Sequence, residues 1–128
     1  MKIEHLAFNV PDPRAAADWY VANLGMRIVR SGEAPKHGRF VADDAGVMIE
    51  LYNDDADRHL DLAGLGETTF HLAFASADLD GDLARLTAAG ARQVGEINAS
   101  SPRGDRLAFL RDPFGLTLQL AQRAQPIA

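Results

Sequence analysis

The tetrapeptide His-Leu-Ala-Phe occurs twice, at residues 5–8 and 71–74, and each copy is followed by an aspartate, Asp12 and Asp78, seven positions after its histidine. A second block repeats in the same order: Phe40, Asp43, Gly46, Glu50 and Leu51 match Phe109, Asp112, Gly115, Gln119 and Leu120, with four of the five identical. The offsets are nearly equal, 66 residues from His5 to His71 and 69 from Phe40 to Phe109. Two blocks in the same order at nearly one spacing mark a duplication. A duplication constrains the fold before any local pattern is read, because matched residues must occupy equivalent places in two similar units.

Each copy carries the same local signals. From Ile3 to Val10, the residues Leu6, Phe8 and Val10 alternate with His5, Ala7 and Asn9, the period of a strand packed on one face, with His5 on the other. Asp12 and Pro13 give an N-cap and first turn; Ala16, Trp19, Tyr20 and Leu24 fall at helical spacing, and Gly25 is the stop. The second copy repeats this with Asp78, then Leu79, Leu83 and Leu86 on one helical face, then Gly90. A strand follows each helix, at 26–30 and 92–97, then a polar loop and two strands joined near Gly46 or Gly115. Each unit reads strand, helix, strand, strand, strand. The predicted class is α+β, with module one at about 1–53, a polar linker at about 54–66 and module two at about 67–123. With 128 residues, 47% of them hydrophobic, the chain suits a single domain over 1–128.

Composition narrows the chemistry. The net charge is -5, from 13 basic and 18 acidic residues, and no run of lysine or arginine is present to track a phosphate backbone or a membrane surface, so nucleic acid and membrane are not expected partners. The chain has no cysteine, which excludes disulfides and thiolate catalysis and leaves nitrogen and oxygen donors for any metal. No window has the length and apolarity of a signal or membrane segment, so a soluble cytoplasmic protein is expected.

In the last strand of module one, Val47, Ile49 and Leu51 share one face, and Met48, Glu50 and Tyr52 the other; in module two, Leu118 and Leu120 oppose Thr117, Gln119 and Ala121. Glu50 and Gln119 therefore point away from the packed face, as His5 does. If each helix covers the apolar face of its own sheet, the remaining faces are free to meet about a pseudo-twofold axis, where His5, His71, Glu50 and Gln119 would converge. Two imidazoles, a carboxylate and a weak amide donor suit divalent iron, manganese, nickel, cobalt or zinc. A single histidine or glutamate in a strand is more often a hydrogen-bonded or solvated residue than a ligand. These four differ in sharing repeat-equivalent, same-face positions in a chain with only four histidines.

Other residues are weaker candidates. Arg39, Arg103 and Arg106 lie where they could clamp a substrate carboxylate or phosphate, against the plainer role of solvated rim charges. Tyr52 and Phe114 are possible substrate surfaces, whereas Trp19 and Tyr20 sit at helix-packing positions. The segment 98–105, rich in serine, proline and glycine, has the composition of a lid.

Taken together, His5, Trp19-Tyr20 followed by Leu24-Gly25, Glu50-Leu51, His71, and Arg111-Asp112-Pro113-Phe114-Gly115 leading to Gln119-Leu120 resemble the vicinal oxygen chelate superfamily. That group includes glyoxalase I, extradiol dioxygenases, methylmalonyl-CoA epimerase, and the fosfomycin and bleomycin resistance proteins. The resemblance implies two βαβββ modules forming a cupped mixed sheet around a divalent metal, a small-molecule substrate and a homodimer. It implies His5, Glu50, His71 and Gln119 at the metal positions, with glyoxalase-like lyase or isomerase chemistry on a small oxygenated substrate. The chain departs from the pattern at residue 119, where many metal-dependent members have glutamate. Glutamine can coordinate through oxygen but cannot take a proton, so Glu50 is left as the base. Two alternatives follow from the same resemblance. One is an extradiol-type dioxygenase using His5, His71 and Glu50, with His37 or His59 as an acid-base group. The other is a non-catalytic binding protein that holds a small molecule against Trp19, Tyr52 and Phe114.

Overall fold

The computed structural model describes residues 1–61 and 64–127. The chain divides into two compact units, Met1–Leu60 and Asp61–Ala128. Unit one runs β1 (His5–Asn9), α1 (Pro13–Leu24), β2 (Arg27–Ser31), β3 (Arg39–Ala42) and β4 (Met48–Tyr52). Unit two runs β5 (Leu72–Ala75), α2 (Leu79–Ala88), β6 (Arg92–Asn98), β7 (Arg106–Arg111) and β8 (Thr117–Gln122). Both are four-stranded mixed sheets with one strand order, β1-β4-β3-β2 and β5-β8-β7-β6, in which the first strand lies parallel to the last at the sheet edge. These are the two βαβββ modules read from the repeat.

The repeated residues explain the repeated geometry. Asp12 accepts from the Ala15 N–H at 3.0 Å and Asp78 from the Gly81 N–H at 3.1 Å, so both helices begin on an aspartate cap. The hairpins β3–β4 and β7–β8 close with one device. Gly46 N donates to Asp43 O and Gly115 N to Asp112 O, both at 3.2 Å. The aspartate side chains then accept from Val47 N and Leu116 N, both at 2.8 Å. Gly46 and Gly115 sit at φ 87° and 90°, where a side chain would be strained. That is why the aspartate and glycine recur in both copies.

Each helix covers one face of its sheet. Ala16, Ala17 and Tyr20 of α1 are buried with Val41, Ile49 and Leu51, and Leu79, Leu83 and Leu86 with Leu110, Leu118 and Leu120. Leu6 and Val47, expected on the packed face, are 43% and 56% exposed. The reason is that α1 packs over β2, β3 and β4, leaving the start of the edge strand β1 and the residue before β4 uncovered. In β8, by contrast, Thr117, Gln119 and Ala121 are as buried as Leu118 and Leu120.

The first part of the expected linker is tied to unit one. The Asn9 amide donates to Asp54 O at 2.9 Å and Arg58 O at 3.1 Å and accepts from Asp54 N at 2.8 Å, while Leu60 N donates to Asn9 O at 2.7 Å. Of the same expected linker, Leu62 and Ala63 lie outside the described residues. Segment 98–105 is braced by Asn98, whose side chain accepts from Ser100, and by a Gly104 to Ser101 backbone bond. Among the described residues, no helix is long and apolar enough to cross a membrane.

Two stability predictions follow from these contacts. Asp112 is 5% exposed and accepts from both Phe114 N and Leu116 N, so Asp112→Ala should cost about 1–3 kcal/mol in chemical denaturation. The half-buried equivalent Asp43→Ala should cost less, and equal costs would show that burial of the turn carboxylate is unimportant. Asp105 accepts a hydrogen bond from Arg123 and another from the Ala124 N–H, which hold its carboxyl below the usual carboxylate range. Its contribution is therefore present above the unfolded value, about pH 4, and is lost as pH falls through the lower folded value. The melting-temperature gap between the wild type and Asp105→Asn should shrink below about pH 4, and a gap unchanged between pH 7 and pH 2 would contradict this.

Candidate functional site

Glu50 lies near the centre of β4, the strand flanked on both sides. Its cross-strand partners are Ala7 on β1 and Phe40 on β3, so Ala7, Glu50 and Phe40 form one row on the face opposite α1. His5 stands two residues before Ala7 on the same face. Its ring meets Phe40 edge-on at 5.3 Å and 82°. Its Nε2 lies 3.5 Å from Glu50 Oε2, and its Nδ1 is bound by the Glu4 carboxylate.

Unit two repeats this arrangement. Ala73, Gln119 and Phe109 form the row, and the His71 ring meets Phe109 edge-on at 5.2 Å and 78°. His71 Nδ1 lies 2.9 Å from Glu67 O. A carbonyl can only accept, so Nδ1 of His71 donates there and the Nε2 of the neutral ring keeps its lone pair; His5 differs in having a carboxylate at each ring nitrogen, Glu4 at Nδ1 and Glu50 at Nε2. An imidazole held by an oxygen at one nitrogen is oriented and made more basic at the other, which is how proteins prepare a histidine to bind metal. The alanine at the same place in each row keeps the face open beside the carboxylate or amide.

The His5–Glu50 pair fits a divalent ion in donor chemistry and spacing. Two atoms 3.5 Å apart, each about 2.1 Å from a shared ion, subtend roughly 110°, near the tetrahedral angle. Among the described residues, no three or more histidine, aspartate or glutamate side chains are arranged so that they could hold a metal ion together. The candidate donors of unit one are His5 and Glu50, and the residues at the equivalent positions of unit two are His71 and Gln119. Gln119 is only 7% exposed and brings no charge.

Beside Glu50, unit one holds a cavity of about 550 Å³ whose wall includes Ala7, Arg30, Phe40, Glu50 and Tyr52. Lys36 and Asp54 also line it, joined by an ion pair at 2.6 Å. Their hydrogen bond raises the Lys36 pKa and lowers that of Asp54. The other expected residues lie elsewhere or are engaged. Arg39 donates through Nη1 to the carbonyls of Gly32, His37 and Gly38 at 2.9, 3.1 and 2.9 Å, pinning the β2–β3 loop. Arg106 grips Asp80 of α2 with two bonds of 2.7 and 2.9 Å, and Arg103 is exposed in the loop before β7. Phe114 sits in the β7–β8 turn, and Trp19 is half-buried against Tyr20. His59 Nε2 lies 3.0 Å from Asn53 Oδ1, and His37 occupies the β2–β3 loop at φ 47°.

Sequence reasoning passed over Arg30 and both histidine anchors. Glu67 acts through its backbone carbonyl, which leaves no mark in the sequence. Arg30 reaches the cavity face through a register shift that strict alternation does not reveal.

The profile of the Glyoxalase/Bleomycin resistance protein/Dioxygenase superfamily matches residues 2–120. A probable lactoylglutathione lyase of Vibrio parahaemolyticus is 25% identical over 133 residues, spanning 99% of this chain and 94% of that protein. A lactoylglutathione lyase of Arabidopsis thaliana is 25% identical over 93% of this chain, which spans only 43% of the plant protein. In fold, a glyoxalase family protein from Bacillus cereus superposes with a TM-score of 0.80 at 18% identity, covering 98% of this chain and 95% of that one. With a profile match across nearly its whole length and the paired modules in place, the chain belongs to the Glyoxalase/Bleomycin resistance protein/Dioxygenase superfamily.

Proposed function

We propose that the protein is a divalent-metal-dependent enzyme of glyoxalase type, a lyase or isomerase acting on a small oxygenated substrate. The observation that carries this reading is the repeated histidine geometry: each Nδ1 is tied to an oxygen, and His5 Nε2 faces the Glu50 carboxylate. The ligands are His5, Glu50, His71 and Gln119. Similarity to lactoylglutathione lyases supports the reaction class. The reading includes a cytoplasmic location, expected from the sequence, and a homodimer, which the family resemblance implies.

A bound divalent ion supplies polarisation of the substrate oxygens. The chain's own residues do the rest. Glu50, the one carboxylate of the four, removes the proton from the carbon beside a carbonyl and returns it to the neighbouring carbon. Phe40 backs the His5 ring and limits water there, and Tyr52 contacts substrate from the cavity wall. A ring-cleaving dioxygenase is the second reading. The neutral amide at 119 leaves two histidines and a single carboxylate, the donor set of non-haem iron oxygenases.

Elemental analysis of protein purified without chelator should find stoichiometric metal that is lost in His5→Ala and in His71→Ala. Absence of metal, or metal unchanged by both substitutions, would refute the site. At saturating metal, Glu50→Gln should slow solvent-proton exchange at the alpha carbon of hemithioacetals or alpha-hydroxy ketones by about 10²–10⁴-fold. Iron with oxygen uptake on catechols would favour the dioxygenase, and tight binding without exchange or turnover a sequestering protein. Long-range ¹H–¹⁵N spectra of the metal-free protein should show the neutral His71 ring as the Nδ1–H tautomer, and the Nε2–H tautomer there would contradict its anchoring to the Glu67 carbonyl.

A further inference from the structure

The row that carries Glu50 extends one strand further. Arg30 on β2 pairs with Phe40, so the full row across unit one is Arg30, Phe40, Glu50 and Ala7. In unit two the corresponding row is Val94, Phe109, Gln119 and Ala73. The two rows keep the phenylalanine and the alanine. They differ at two positions, and at both the charged residue lies in unit one.

Arg30 reaches this row through a local irregularity. Ile28 pairs with Val41 and Arg30 with Phe40, so Val29 is an extra residue in β2. In unit two, Gln93 pairs with Leu110 and Val94 directly with Phe109, and the irregularity of that strand comes later, between Val94 and Asn98. A bulge re-aims the side chain beside it, and bulges are enriched next to active sites. With unbroken pairing, Val29 would stand opposite Phe40 and Arg30 opposite Arg39.

The guanidinium lies over the Phe40 ring, 5.8 Å from its centroid. That contact orients the planar group while leaving its N–H edge available to an oxyanion. Among the described residues, no carboxylate lies within ion-pair distance of Arg30. The other cavity-lining cation, Lys36, is already neutralised by Asp54 at 2.6 Å. Glu33 also lines the cavity, so the wall selects by position and is not uniformly positive. Arg30 and Glu50 stand two strands apart, roughly 10 Å at the backbone, across a cavity of about 550 Å³ that is ample for a small metabolite.

We propose that Arg30, set on the row by the Val29 bulge and laid over Phe40, binds an anionic group of the substrate, a carboxylate or a phosphate, whose oxygenated end lies at His5 and Glu50. This rests on the enzyme reading above and adds the substrate class: a small acid or phosphate ester that also carries neighbouring oxygens.

Three short hydroxamates, identical except for a carboxylate, phosphonate or primary amide tail, test the proposal by calorimetry on the metal-loaded protein. The wild type should bind one or both anionic probes about tenfold more tightly than the amide, the scale of one charge-assisted contact. Arg30→Gln should reduce that preference to within about twofold without changing amide binding, and Lys36→Gln should leave it intact. The preferred anionic tail identifies carboxylate or phosphate. Equal binding of all three by the wild type, or a preference that survives Arg30→Gln, would overturn the proposal. If no hydroxamate binds, the metal-enzyme reading fails, and the Arg30 site is decided by inorganic phosphate alone: saturable NMR shifts at the Arg30 Nε–H support it, and their absence overturns it.

Discussion

The pairing of a central strand with a parallel edge strand on one side and a hairpin strand on the other is the constraint on which the rest of this molecule depends. Because side chains alternate along a strand, a slip of one residue would send Glu50 and Tyr52 into the core and Ile49 and Leu51 out of it. The register is held from both ends. The Asp43 to Gly46 turn fixes β3 against β4, and the β1–β4 ladder continues past the strands as Val10 N donates to Tyr52 O at 2.8 Å. Unit two holds its register by the equivalent Asp112 turn and by the Ser76 N to Ala121 O bond at 3.0 Å. Pairing of His, Glu or Gln, and Phe on one face is a consequence of that double hold.

The two units carry copies of this frame, and the row beside the histidine is charged in only one of them. Glu50 faces His5, whereas the equivalent amide of Gln119 brings His71 no carboxylate. Arg30 stands where unit two has Val94. On the proposed reading, proton transfer and anion recognition both fall to unit one.

Much of this was legible in the sequence because repeats expose equivalence without a structure. The aspartate caps, the aspartate–glycine turns, the histidines and the Glu50/Gln119 pair all follow from matched positions and simple alternation. What escaped had no signature in residue type. The Val29 bulge changes which side chain faces the cavity without changing composition. The Glu67 carbonyl that anchors His71 is backbone, and the Asn9 amide that ties down residues 54–60 resembles any polar residue of a strand. Alternation also overstated the core, because it shows which face Leu6 and Val47 take but not how far α1 extends over it.

The most direct test of the paired histidine frame is X-ray absorption at the edge of the metal bound to the purified protein. Multiple-scattering features should report two imidazoles with oxygen donors completing the shell, and His5→Ala or His71→Ala, resupplied with excess metal, should each show one imidazole fewer. A metal whose spectrum shows no imidazole, or shows the wild-type number in both variants, would contradict the assignment of the two repeat-equivalent histidines as ligands.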